Sequence, residues 1–341
     1  MVESVDFLIV GGGISGRLLQ LELSNRNEST LVIDLPENNR STKVAAGLAN
    51  PLVGKFFTIG WRAPEIFSDL RSYYAEIETR LDASFFRPCS FKRIISSASE
   101  QNIWLSKAHK QKYNGFCSFS NEQIDGIHVN FGLLTVEQGG ELHTPSFLQA
   151  CKQLPTVNEQ FDFENLDLNA NTYRSISFKK IIFCEGYLQM ENPYFKDIVQ
   201  VVPTKGEILD IETELEPKGD VYLGSVFLQH LEGKKWRAGA TYEQNQTNLE
   251  PTEMMHDDLK VKLDKVLDLP YQIVDHYCGI RPASGDRKPI LGMHPKYNTM
   301  HIMNGMGSKA VSLSPLLAKE MADLLIDDIP LHADVDIARF C

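Results

Sequence analysis

The stretch Val5-Asp6-Phe7-Leu8-Ile9-Val10-Gly11-Gly12-Gly13-Ile14-Ser15-Gly16 decides how the rest of the chain is read. Phe7 to Val10, with Val5 close by, form an apolar run suited to a buried parallel strand. The run enters G-x-G-x-x-G at Gly11, Gly13 and Gly16, and Arg17 to Leu23 follow as a helix. In that context each glycine has a task. Gly11 permits the tight turn, Gly13 lets the backbone approach a pyrophosphate, and Gly16 lets helix and sheet pack closely. The N–H groups at the helix start, around Ile14 and Ser15, then face the phosphates. A second apolar run, Thr30-Leu31-Val32-Ile33, ends in Asp34, at the distance where an acidic residue takes the ribose hydroxyls. Strand, helix, second strand and acid in this order predict a dinucleotide site; the glycines alone leave the choice of dinucleotide open.

The bulk composition narrows the class. At 341 residues, with 43% hydrophobic and 23% charged, the chain is an ordinary globular one, long enough for two domains. A net charge of −11 and the lack of a Lys/Arg cluster disfavour a nucleic-acid reader. No apolar run reaches membrane-spanning length, and the first strand starts too early to leave room for a signal peptide. The six cysteines lie far apart without a C-x-x-C pair, so neither a disulfide framework nor a zinc site is expected. Reduced thiols in a cytoplasm fit that usage.

Beyond Asp34, a turn-rich segment from Pro36 to Arg40 leads to Ala45-Ala46-Gly47. Those small residues suit either a backbone lying against a flat ring system or a short helix with a glycine stop. Lys55, Trp61 and Arg62 read as solvated loop residues or, alternatively, as pocket lining. Pro64 opens an amphipathic helix with Ile66, Phe67, Leu70, Tyr73, Tyr74, Ile77 and Leu81 on one face. Residues 85–136 read as an antiparallel unit, with strands near 91–95 and 129–131. Gly139-Gly140 reads as a break, followed by a helix with Thr144 as N-cap and Pro145 at its first position. His143, just ahead of that cap, reads as structural.

A buried strand, Lys179 to Cys184, ends in the turn Glu185-Gly186, again suiting a ligand at the carboxyl ends of a parallel sheet. Cys184 reads as an inert buried thiol. Strands follow near 207–211, 221–231 and 235–241, then a helix near 252–267. The C-terminal region carries Gly279-Ile280-Arg281-Pro282, a proline-stiffened loop through Pro289, and a strand from Met300 to Asn304. That strand runs into Gly305-Met306-Gly307-Ser308-Lys309 and a helix, aiming a second helix N-terminus at a ligand.

In this order the pieces resemble the D-amino acid oxidase / glycine oxidase family of FAD-dependent oxidoreductases, over nearly the whole chain. The resemblance rests on the Gly11–Gly16 fingerprint with Asp34, Ala45-Ala46-Gly47, Glu185-Gly186 and Pro203-x-Lys205-Gly206. It continues through Gly239-Ala240-Thr241, the segment from Gly279 to Gly292 and the Gly305–Ser308 turn. It implies a discontinuous Rossmann-type FAD-binding domain (1–82, 139–204, 277–341) and a substrate domain with a mainly antiparallel sheet (83–138, 205–276). The cofactor-binding residues it implies are Gly11, Gly13, Ile14, Ser15, Gly16, Asp34, Ala45, Ala46, Gly47, Glu185, Gly186 and Gly305 to Lys309. Arg281 maps onto the arginine that holds the substrate carboxylate in relatives acting on amino acids. The alternative for Arg281 is a bracing role through Asp286 or a backbone carbonyl.

Two departures from the family pattern bear, in turn, on the geometry of the C-terminal glycine turn and on substrate. Ala310 stands where relatives often have glycine, and Phe227 where several amino-acid oxidases carry a tyrosine. Some relatives link the flavin through a cysteine at the position of Gly279; Cys278 is one residue off and faces the other way on an extended strand, so non-covalent FAD is expected. The resemblance implies oxidation of the C–N bond of a small amine or amino acid, glycine-like or D-configured, with dioxygen or another acceptor taking the electrons. The rivals are a flavin oxidase of a modified tRNA base, an NAD-dependent dehydrogenase, and an FAD-binding protein without turnover.

Overall fold

The computed structural model describes residues 3–35, 41–54, 56–108, 110, 113 and 115–341. Lys55 and the turn from Pro36 to Arg40 lie outside the described residues. Two sheets organise the chain. Strand Glu3–Val10 sits inside an eight-stranded sheet, parallel to Thr30–Ile33 on one side and to Ile176–Phe183 on the other. Thr156–Val157 extends the parallel run past Thr30–Ile33, and Met300–Asn304 adds to Ile176–Phe183. Their near-continuous Val, Ile and Leu content follows from burial on both faces.

The ten-stranded second sheet is antiparallel except for one pair, Phe86–Ile94 beside Asp220–Leu223. Its longest pairing joins Val201–Thr213 to Tyr271–Ser284. Strands Leu133–Leu142 and Tyr271–Ser284 each run without interruption, the first through residue 138 and the second through residue 276.

Helix Ile14–Asn25 packs against helix Ala310–Asp327, which also packs against helix Ala63–Leu81, over the first sheet. The aromatic stripe of the Pro64 helix is core, as its period requires: Tyr73 and Tyr74 are buried, and the Tyr74 hydroxyl donates to the Val311 carbonyl at 2.8 Å. Each buried Ile, Leu or Phe of this stripe contributes about 1.5–3 kcal/mol through burial. No helix among the described residues is long and apolar enough to cross a membrane.

Several local expectations need correcting. Gly139 and Gly140 do not break the chain; they lie inside strand Leu133–Leu142. A Cβ at either would overlap an aromatic ring, Phe91 at Gly139 and Phe86 at Gly140, so both glycines admit rings across the strand backbone. The strand expected near 129–131 begins instead at Leu133. The segment 221–231 is two strands, Asp220–Leu223 and Phe227–Glu232, separated by a tight turn in which Gly224 N–H donates to the Val226 carbonyl at 2.8 Å. Finally, His143 rather than Thr144 is the N-cap, because the backbone is still extended there; its Nδ1 lies 2.7 Å from Ser146 Oγ.

Candidate active site

A cavity of about 650 Å³ opens at the carboxyl ends of the parallel strands and extends to the second sheet. The first glycine turn forms part of its wall. Gly11 has φ +103°, and a Cβ there would overlap the Cys184 carbonyl where the neighbouring strand ends. A Cβ on Gly16 would overlap the Gly11 carbonyl, so this glycine sets how closely helix and strand approach. Asp34 also lines the cavity, with its Oδ1 accepting the Gly12 N–H at 2.8 Å. Thr42 stands above the helix start, where its Oγ1 accepts the Ile14 N–H at 3.2 Å.

Three other turns complete the wall. Gly47 has φ +71° and lies so close to the Leu142 carbonyl that no side chain fits, which brings Ala45, Ala46 and Gly47 to the cavity. The second is Glu185-Gly186, and the third is Met306-Gly307-Ser308 ahead of helix Ala310–Asp327. Asn304 ties them together, donating through Nδ2 to the Gly186 carbonyl at 2.9 Å and accepting the Gly305 N–H at 2.8 Å. The Gly307 N–H in turn donates to the Pro282 carbonyl at 2.9 Å, beside Arg281.

Glycine surfaces where a Cβ would block approach, a helix N-terminus and an acid suited to ribose hydroxyls make this cavity fit FAD. Gly11, Gly13, Ile14, Ser15, Asp34, Ala45, Ala46, Gly47, Glu185, Gly186, Met306, Gly307, Ser308 and Arg281 all line it. Gly16, Gly305 and Lys309 do not. Gly16 is spent on packing, and Gly305 (φ +74°) turns against Ile290. Lys309 instead lines a separate small cavity with Trp61 and Arg287. Trp61 donates to Asp334 at 2.9 Å, and Arg62 pairs with Glu65 and Glu320, so neither reaches the main cavity.

At the second sheet, Gly206, Ile208, Phe227, Tyr242, Leu249 and Arg281 surround one part of the cavity. Asp286 does not brace Arg281; it pairs with Arg339. The Arg281 guanidinium donates from Nη1 to the carbonyls of Thr241 at 3.2 Å and Lys205 at 3.4 Å. Nη2 and Nε have no hydrogen bond among the described residues. Burial lowers its pKa from the ordinary value, but a guanidinium remains charged.

Behind this strand a buried pair fixes the loop carrying Leu249. Lys205 Nζ lies 2.9 Å from Glu207 Oε1 and donates to the Glu250 carbonyl at 2.6 Å. Glu207 also accepts the Thr252 N–H at 3.0 Å. Cys278 points to this rear side, donating to the Leu249 carbonyl at 2.8 Å, whereas Gly279 lines the cavity.

Sequence reasoning missed Tyr242, 58% exposed at the cavity, with its ring 6.0 Å from Arg281 Cζ. It also missed Thr42, Phe161 and Phe163. Period-two alternation from Gly206 would have found Ile208; no periodic signal marks Tyr242, because it follows its strand.

Desolvation by the cavity wall pushes the Glu185 carboxyl up to about 7; Asn192, donating at 2.7 Å, opposes this, and Glu191 adds to it. Burial likewise pushes the Cys184 thiol up, leaving it unreactive. An unfolded Glu titrates near about 4.3. From there to about 7 the folded chain holds the extra proton, so stability falls as pH rises through that window. FAD-free Glu185→Gln is therefore expected to melt above the parent at pH of about 8, the advantage vanishing near pH of about 4. Identical melting curves at both would refute the raised pKa.

Comparison with known proteins agrees with this geometry. The chain is 22% identical over 97% of its length to the tRNA 5-methylaminomethyl-2-thiouridine biosynthesis bifunctional protein MnmC of Marinobacter nauticus, spanning 57% of that protein. It is also 22% identical over 94% of its length to the bifunctional protein ThiO/ThiG of a Nostoc species, spanning 53% of it. The chain thus spans little more than half of these two curated relatives. Glycine oxidase from Geobacillus kaustophilus superposes with a TM-score of 0.83 at 17% identity, covering 99% of this chain and 98% of that one. Glycine oxidase from Bacillus cereus gives 0.81 at 17% identity, with 96% of each chain covered. These structural likenesses establish a shared fold. The model of the DAO family, described as FAD dependent oxidoreductase, matches residues 6–324, and the chain belongs to that family.

Proposed function

We propose that this FAD-dependent oxidoreductase oxidises the C–N bond of a small amine that carries a carboxylate, glycine-like or D-configured. The observation that carries this reading is Arg281, a cavity-lining guanidinium with Nη2 and Nε open and no acidic partner among the described residues. A planar fork takes a carboxylate in two charge-assisted bonds and fixes which face of the α-carbon meets the ring. Bound FAD supplies the ring that accepts the hydride leaving the α-carbon.

The protein's residues orient and exclude water. Phe227, Ile208 and Leu249 give the substrate an apolar surround that strengthens the guanidinium–carboxylate attraction. The N-terminus of helix Ala310–Asp327, reached through Gly307 and Ser308, favours negative charge at its end of the cavity. An amine bound neutral needs no side-chain base, and none is assigned. The imine product is then hydrolysed, and dioxygen or another acceptor takes the electrons. FAD is held without a covalent bond, a reading supported by Cys278 facing away. Residues 1–82, 139–204 and 277–341 form the cofactor-binding unit and 83–138 and 205–276 the substrate unit in this reading. The six unpaired cysteines suit the cytoplasm.

The likeness to the bifunctional tRNA protein favours one second reading, oxidation of an aminomethyl side chain on a tRNA base; the net charge of −11 weighs against it. One experiment separates the two. Anaerobic titration of the yellow protein with glycine and D-amino acids should bleach the flavin. Bleaching by modified tRNA alone, with none by any free amino acid, would reverse the assignment.

A further inference from the structure

Strand Val201–Thr213 and strand Tyr271–Ser284 run antiparallel, with Gly206 opposite Gly279 and Thr204 opposite Arg281. Gly206 and Gly279 both line the cavity. The Arg281 side chain folds back over Gly206: a Cβ built there would overlap Nη1, Nη2 and Cζ together. The guanidinium therefore rests on bare backbone, and from that seat Nη1 reaches the Lys205 and Thr241 carbonyls.

Backbone geometry does not account for this glycine. Gly206 is absent from the left-handed residues, and a glycine within a strand weakens it. What a side chain would displace is the tip of a flexible residue, not a wall of the fold.

We propose that Gly206 is a positioning residue: its missing side chain seats the Arg281 guanidinium so that Nη2 and Nε meet the substrate carboxylate. This rests on the carboxylate reading of Arg281. Gly206 acts only through that arginine, so its effect must vanish when the arginine is gone.

The test is a double-mutant cycle on the FAD-loaded protein, with Gly206→Ala and Arg281→Ala made singly and together. Acetate binding is followed by perturbation of the flavin spectrum, alongside FAD content and Tm. Gly206→Ala is expected to weaken acetate binding about 10–100-fold, the worth of one charge-assisted bond, with FAD content unchanged. The double variant should bind acetate like Arg281→Ala alone. If Arg281→Ala weakens binding while Gly206→Ala does not, or if the two effects add in full, this proposal fails and the Arg281 reading stands. If Arg281→Ala leaves acetate binding unchanged, both fail. Should Gly206→Ala lower the Tm, removing the guanidinium must abolish that loss; a loss persisting in the Arg281→Ala background also overturns the proposal.

Discussion

Arg281→Ala is expected to lower kcat/KM for a carboxylate-bearing amine by about 10²–10³-fold, as judged from two charge-assisted bonds at about 1.5–3 kcal/mol each, partly replaced by water. The size follows from the setting. The guanidinium has no acidic partner among the described residues to share its charge, and apolar neighbours keep the local dielectric low. The carbonyls of Lys205 and Thr241 lose only the Nη1 donor, so folding and FAD content should change little. Arg281→Lys keeps the charge but not the fork, and should recover only part of the loss. Steady-state kinetics with the amino acid that bleaches the flavin measures both. Unchanged kinetics in Arg281→Ala would remove the assigned role.

Gly11→Ala is expected to cost both stability and cofactor. Its φ of +103° lies in a region that side chains rarely occupy, a strain of about 1–3 kcal/mol. Overlap with the Cys184 carbonyl adds about 1–3 kcal/mol of overpacking. The variant should melt well below the parent and purify without bound FAD. Gly13→Ala makes the contrasting case. The nearest atom to a new Cβ there is Thr42 Oγ1 at 3.1 Å, so the fold should tolerate it while the phosphate approach is blocked. Thermal melting and flavin absorbance separate the two. A Gly11→Ala protein that stays yellow and melts like the parent would show that this turn does not govern the site.

Where local patterns coincide with one physical cause, the sequence is easily read. The Gly11–Gly16 turn, the stripe from Ile66 to Leu81 and the strand leading into Gly305 each combine periodicity with a turn signal, and each takes its expected form. Gly139-Gly140 misleads because a strand glycine and a turn glycine look alike until the partner rings, Phe86 and Phe91, are known. Lys309 misleads because one residue at a helix start decides whether a side chain enters the cavity or the gap beside Trp61. The seat of Arg281 on Gly206 was out of reach for another reason. Antiparallel register brings the two together across many residues, and no local pattern encodes that pairing.

The parallel sheet has one more consequence. Phe7 pairs with Lys180, and Ile182 with His301, so chain segments from the beginning, middle and end must meet before the first sheet is complete. Such high contact order makes folding slow, because loop closure precedes the reward of pairing. Since the cavity draws on residues from Val10 to Val311, coenzyme capture is expected only after those segments have met. Ligand then pulls the assembled state forward by mass action. In a refolding reaction, the return of yellow colour should therefore trail the return of helix and report assembly of the cavity wall.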